Sequence, residues 1–445
     1  MNNMQTIKLD LPRRKAGNAQ ATTRRRMRRD PVSKAVLKID TLGQVFTPAW
    51  LVEKMIALRT KSGRVLEPSC GSGAFANVLR ERGNELVALE LDAGHAPDYA
   101  TVGDFFDYPD TEKFETIIGN PPYLRHQDIP AETKAKLDMA LFDGRSNLFL
   151  FFIEKCVRHL TNGGELIFVV PRDLPKATAA RKLNRWLFEQ GTITDYWETG
   201  DQAVFHGASP PCCIFRFEKG RMTRTMNDGR VFAERDGQLF FQPKDFVGVP
   251  LSEFFDVAVG GLTGADQLYS NPAGSLEVVG SETARTGKTC RMLHGEEAKQ
   301  HLFKHKAALM ARGVRTFNES NWWEWGRRWK KSSQPRVYVN ALTRTADPFF
   351  THACTAYSGS VLALFPKVAG MDINRAVEIL NSVDWNILGF KDGGRHKFAQ
   401  RSLMTCQLPA EAANKLRQEI RKITSPASTT KESHRQNSPP RISPA

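Results

Sequence analysis

The stretch GRVLEPSCGSGAFA, residues 63–76, runs from an apolar pair through a carboxylate and a proline into two closely spaced glycines. Val65 and Leu66 read as a short buried strand, which Pro68 ends because it has no N–H to donate to a ladder. Gly71, Gly73 and Ala76 match the degenerate GxGxxG/A spacing, where missing side chains let a ligand approach a strand-to-helix turn. Alone, that spacing would equally fit a dinucleotide enzyme. The surrounding chain decides.

Strand-like and helical patterns alternate on both sides of it. Upstream, QVFTPAWLVEKMIALRT (44–60) reads as a helix entry with Thr47 as cap, Pro48 in the first turn, and Leu51, Val52, Met55 and Ile56 as an apolar stripe. Downstream, ANVLRERG is helical, ELVALELD and ETIIGN are strands, NLFLFFIEKCVRHL is an amphipathic helix and GELIFVVP a further strand. Apolar strands separated by helices predict a parallel sheet covered on both faces, a doubly wound α/β domain ending near Gly220 after PPCCIFRFEKG. Beyond Asp228 the pattern changes: GRVFAERDGQLFF reads as a hairpin, and RVYVNA and SVLALF as strands of a second, α+β domain. The expected organisation is a basic arm (1–40), the α/β domain (41–225), the α+β domain (226–424) and a polar, proline-rich tail (425–445).

A chain of 445 residues suggests more than one core, and 41% hydrophobic with 25% charged residues is a globular composition. No apolar run reaches the roughly 18 residues of a membrane span and no signal peptide opens the chain, so a cytoplasmic protein is expected. The seven cysteines show no CxxC or Cys/His spacing, so no metal site is expected. The net charge is +15, and ten Lys/Arg against two Asp fall within the first 35 residues, an electrostatic handle for phosphate backbones.

Doubly wound sheets bind ligands beyond the carboxyl ends of their strands. Glu67 ends the first strand here and Glu90 the second, where an acidic residue can bind ribose hydroxyls; Asp104 in VGDFFDY and Asn120 close the next two. Asn120 opens NPPY within IIGNPPYLRHQ (117–127). Pro121 and Pro122 make a stiff, extended turn that holds the Asn120 amide, nearby carbonyls and the Tyr123 ring in one arrangement. Such a turn suits a flat amino group that needs acceptors and a ring to stack on.

The order FTP, LEPSCGSG, ELD, GDFF, NPPY, NLFLFFIEK and GGELIFVVP resembles the gamma-class, TaqI-like N6-adenine DNA methyltransferases of type II restriction-modification systems. The resemblance is strong from Gln44 to about Gly220 and fainter through VGGLTGADQLYSNP (259–272) and from ILNSVDWN to SLMTCQLP. It implies a Rossmann-like S-adenosylmethionine-dependent methyltransferase sheet and a C-terminal target recognition domain. It implies that Thr47, Glu67, Ser69, Gly71, Gly73, Glu90, Asp104 and Phe105 surround S-adenosyl-L-methionine, with Glu90 on the ribose hydroxyls and Asp104 on the adenine amino group. Asn120, Pro121, Pro122 and Tyr123 would form the catalytic loop, and Phe205 in AVFHG would stand against a flipped base. Cys70 between Ser69 and Gly71 departs from the family's loop.

Double-stranded DNA is the implied partner, with Arg125 placed for a phosphate and Arg327, Arg328, Lys330 and Lys331 in RTFNESNWWEWGRRWKK for the duplex. A monomer without a fused nuclease is expected, and whether a separate restriction endonuclease accompanies it is left open. SPPC (209–212) lacks the aromatic of a methyltransferase loop and reads as a turn. Alternatives are N4-cytosine methylation, which uses the same geometry, protein-glutamine or ribosomal RNA methylation, and a specificity subunit with an inactive methyltransferase fold.

Overall fold

The computed structural model describes residues 47–199, 211–392 and 394–424, and Phe205 therefore lies outside the described residues. Helix α1 (Ala49–Ile56) precedes β1 (Val65–Glu67), α2 (Ala74–Glu81), β2 (Leu86–Glu90), β3 (Thr101–Val102) and β4 (Phe114–Gly119). Then come α3 (Ala131–Lys134), α4 (Leu148–His159), β5 (Leu160–Pro171), α5 (Arg181–Gln190), β6 (Gly191–Glu198) and β7 (Cys212–Lys219). They build a seven-stranded sheet in the order β3-β2-β1-β4-β5-β7-β6. The first five strands of that order are parallel neighbours, whereas β7 runs antiparallel to both β5 and β6. The sheet is thus mostly parallel rather than wholly so, and β6 is an edge strand that the sequence reading did not pick out. Its polar residues, GTITDYWE, break up the apolar run that marks the central strands.

Alternate residues of the central strands enter separate cores. Ile118, Ile167, Val169 and Ile214 pack with Leu51, Val52, Met55 and Phe75 from α1 and α2. Ile117, Leu166, Phe168 and Phe215 face the other way, onto Phe149, Phe152, Ile153 and Val157 of α4 and Leu183 and Leu187 of α5. Burial on both faces is why these strands read as continuous apolar runs.

Beyond the sheet, β8 (Val231–Arg235) and β9 (Gln238–Gln242) form a hairpin. Asp236 and Gly237 both have positive φ at its tip, as a two-residue turn matching strand twist requires. Phe232 and Leu239 of this hairpin join the core beneath α4 and α5, so a segment whose sequence groups it with the second domain packs onto the first sheet. Further on, Phe255–Val259, Val361–Pro366, Val337–Asn340 and Phe349–Phe350 lie side by side, in that order, in an antiparallel sheet with apolar clusters on both faces. Trp322, Trp325, Trp329 and Trp385 are buried in these clusters. Lys176, at the end of the 3-10 turn Leu174–Lys176 after β5, donates to the Leu388 carbonyl at 3.2 Å and lies 4.2 Å from the Phe390 ring, tying the first sheet to the later half of the chain. Among the described residues, no helix is long and apolar enough to cross a membrane.

One buried ion pair lies in the first half of β5, away from its carboxyl end. The Glu165 and Arg216 side chains, 0% and 2% exposed, meet at 2.7 Å. Glu165 also accepts from the Thr60 N–H at 3.0 Å, the Lys61 N–H at 3.1 Å and the Thr116 hydroxyl at 3.0 Å. Removing one member of a buried pair leaves the other charge uncompensated, so Arg216→Ala is expected to cost about 3–5 kcal/mol in chemical denaturation. A variant as stable as the parent would show that the pair carries no such weight.

Candidate active site at the strand ends

Because the strand order is β3-β2-β1-β4, Asp104, Glu90, Glu67 and Asn120 stand at the carboxyl ends of four neighbouring strands. Glu90 is held from two sides, accepting the Gly71 N–H at 2.7 Å and the Asp92 N–H at 3.0 Å. It thereby fixes the glycine turn, where Gly71 and Gly73 have φ of +52° and +87°. A Cβ at Gly73 would come 2.6 Å from the Tyr99 hydroxyl, so the turn admits no side chain there.

Glu67 is 1% exposed, and its Oε2 atom is buried with no hydrogen-bond partner. Burial pushes its carboxyl well above the usual range, opposed by a hydrogen bond from the Ala76 backbone and reinforced by the Glu90 charge. Burial, with the charges of Glu67 and Glu90, likewise raises the Cys70 thiol to about 12, so this cysteine is not a nucleophile.

Asn120 donates from Nδ2 to the Thr47 hydroxyl at 3.2 Å, and the Ser69 hydroxyl lies 3.5 Å from the Asn120 carbonyl oxygen. Thr47 therefore serves the strand-end loop and not α1, whose N-cap is Pro48 with no side-chain bond. Pro121 is buried and Pro122 half-buried. The Tyr123 hydroxyl donates to the Val169 carbonyl at 2.9 Å, and its ring packs edge-on to Phe149 with centroids 6.0 Å apart. Burial, then the neighbouring Cys212, pushes this phenol far above its usual range, so Tyr123 offers a ring and not a base.

Asp104 caps a single 3-10 turn, accepting the Phe106 N–H at 3.0 Å. It also accepts from the Thr133 hydroxyl at 2.9 Å and from Lys136 at 3.1 Å. Phe105 turns into the core, 5.1 Å from Phe152 and 5.6 Å from His159 between centroids, and so supports the crevice from beneath. Arg125 is exposed and paired with Asp128 at 2.6 Å.

The four cations predicted to meet a duplex are all exposed, but three have local partners. Arg327 donates to the Gly260 carbonyl at 3.1 Å, Arg328 lies 3.3 Å from Glu324, and Lys330 sits 4.4 Å from the Phe365 ring. A cleft of about 700 Å³ opens past the ends of β5 and β6, lined by Arg172, Lys176, Tyr196, Phe241, Phe390 and Lys397 among others. Sequence reading missed it because its walls come from segments some 200 residues apart. Among the described residues, no group of His, Cys, Asp or Glu could hold a metal.

Residues 84–205 match the family model described as Eco57I restriction-modification methylase. The chain is similar to the type II methyltransferase M.HincII of Haemophilus influenzae, 33% identical over 196 residues that cover 42% of this chain and 39% of that protein. It is also similar to the type II methyltransferase M.TthHB8I of Thermus thermophilus, 35% identical over 219 residues that cover 45% of this chain and 49% of that one. The chain spans between 39% and 49% of the length of these curated relatives. A solved DrdV–DNA complex is similar at a TM-score of 0.46 and 11% identity, over 86% of this chain and 57% of that one. The family match places the likeness to restriction-modification methylases within residues 84–205, a stretch that contains Glu90, Asp104 and the Asn120–Tyr123 loop.

A carboxyl held above its unfolded value of about 4.5 favours folding while protonated and loses that contribution as pH rises through the folded value. Glu67→Gln, which cannot ionise, is therefore expected to resist denaturant better than the parent at about pH 8, with the gap closing toward pH 4. Equal stability of the two at about pH 8 would show that Glu67 carries no burial penalty.

Proposed function

We propose that this chain is a site-specific DNA methyltransferase of the restriction-modification type, transferring a methyl group from S-adenosyl-L-methionine to N6 of an adenine flipped out of double-stranded DNA. The observation that carries the reading is the row of Asp104, Glu90, Glu67 and Asn120 at adjacent strand ends, followed directly by Pro121, Pro122 and Tyr123.

The residues fit the cofactor on two counts. The left-handed glycine turn leaves open space beside Gly71, where a Cβ would meet no atom within 4 Å, and Glu67 brings a buried oxygen with no hydrogen-bond partner, as a site built for a polar or cationic ligand would. Glu90 would take the ribose hydroxyls and Asp104 the adenine amino group, with Thr47, Ser69, Gly71 and Gly73 around them, whereas the Phe105 ring, turned into the core, lies behind Asp104 and not against the cofactor. When bound, the cofactor supplies an electrophilic methyl group on a sulfonium.

The protein's share is positioning and electrostatics. The adenine amino nitrogen is a poor nucleophile because its lone pair is delocalised into the ring. The Asn120 side-chain oxygen and the Pro121 carbonyl would accept its two hydrogens, raising electron density on nitrogen and orienting it for attack. Donation from Asn120 Nδ2 to Thr47 supports this assignment, since it commits the nitrogen end of the amide and so fixes the direction of the oxygen end. Flipping costs a few kcal/mol. Stacking on Tyr123, anchored through its hydroxyl, offsets this by about 1–3 kcal/mol per base. Phe205 would bound the base on its other side and Arg125 would hold a nearby phosphate.

With labelled S-adenosyl-L-methionine and unmethylated genomic DNA, the expected product is N6-methyladenine from the wild type and none from Asn120→Ala. N4-methylcytosine would keep the loop's role and overturn the base; methylation confined to protein or ribosomal RNA would overturn the DNA reading. Replacing Arg327, Arg328, Lys330 and Lys331 together with Ala is expected to flatten the slope of log affinity against log salt by about 0.9 for each phosphate no longer neutralised. An unchanged slope would remove all four from the interface.

A further inference from the structure

We infer that Thr133 and Lys136, in the segment after the NPPY loop, are positioning residues that aim the Asp104 carboxylate at the 6-amino group of an adenine nucleoside. The inference rests on the cofactor reading above. It assigns a role to two residues that lie 29 and 32 positions from Asp104 in the chain.

The geometry is an account of acceptor positions. An ionised carboxylate offers about four of them. On Oδ1, Asp104 accepts the Phe106 N–H at 3.0 Å. On Oδ2, it accepts the Thr133 hydroxyl at 2.9 Å and the Lys136 ammonium at 3.1 Å. Both Oδ2 positions are filled, and the remaining position lies on Oδ1. The Asp104 side chain is only 10% exposed, so an incoming amino hydrogen meets an oxygen whose direction is already set.

Thr133 belongs to a packed wall and not to a swinging loop, and Lys136 stands exposed beside it, shared between Asp104 and Asp107. Thr133 is 6% exposed, and Ile129, Leu137 and Phe142 of the same segment are buried in the core that holds β4 and α4. At the segment's ends, the Leu124 carbonyl accepts the Leu148 N–H at 2.8 Å, so the wall begins directly behind Tyr123. One continuous stretch of chain thus braces the Tyr123 end of the site and the Asp104 end.

A fixed acceptor rewards a 6-amino group and opposes a 6-oxo group, because a site built for an N–H leaves its own polar group unpaired when the N–H is missing. An Asp104 free to turn would lose part of that discrimination. Equilibrium binding of S-adenosyl-L-homocysteine and of its 6-oxo counterpart, S-inosyl-L-homocysteine, tests this on the full chain. The wild type is expected to prefer the adenosyl compound. Lys136→Met and Thr133→Val are expected to weaken that compound about tenfold while leaving the inosyl compound unchanged, with Lys136→Arg and Thr133→Ser recovering most of the loss. Equal weakening of both compounds would mean a merely structural role, and no weakening of either would mean no role; each overturns the inference. A wild type that binds neither compound would overturn the cofactor reading, and this inference with it.

Discussion

A strand covered on both faces leaves polar chemistry little room except at its ends, and this constraint organises the site. Ile117 and Ile118, or Leu166 through Val169, send successive side chains into opposite cores, so these stretches carry no polar group on either face. The polar residues collect where the strands stop. Which of them become neighbours is then decided by strand order: β3-β2-β1-β4 sets Asp104, Glu90, Glu67 and Asn120 in a row that differs from their order in the chain.

Two buried carboxylates differ in how far the protein itself satisfies them. Glu165 is fully enclosed and meets Arg216, two backbone amides and two hydroxyls. It is a satisfied group whose work is cohesion. Glu67, equally enclosed, keeps one oxygen without a hydrogen-bond partner and is pushed toward its neutral form by burial. A buried acceptor left short of partners opposes the fold and persists where a ligand completes it.

The sequence made the strand ends legible because its signals there are local: a glycine turn after Glu67, a Pro-Pro stop after Asn120, and apolar runs bounded by both. What it concealed depends on distance or direction. Thr47 sits where a cap belongs, yet its hydroxyl bonds Asn120, 73 residues away. Phe105 follows the candidate ligand Asp104, but the 3-10 turn that Asp104 caps swings the ring into the core. The antiparallel β7 reads as another apolar strand because apolar burial carries no sign of strand direction. In the second half, WWEWGRRW mixes tryptophans and arginines closely; packing divides them, with Trp322, Trp325 and Trp329 inside and Arg327 and Arg328 outside.

The central claim is that the four strand ends form one site in which a cofactor is held beside the Asn120 loop. A crystal structure with S-adenosyl-L-homocysteine bound tests it most directly. The account predicts the ribose on Glu90, the adenine amino group on Asp104 and the thioether sulfur facing Asn120 across the Gly71–Gly73 turn. Ligand bound elsewhere, or lying with its sulfur away from Asn120, would contradict it.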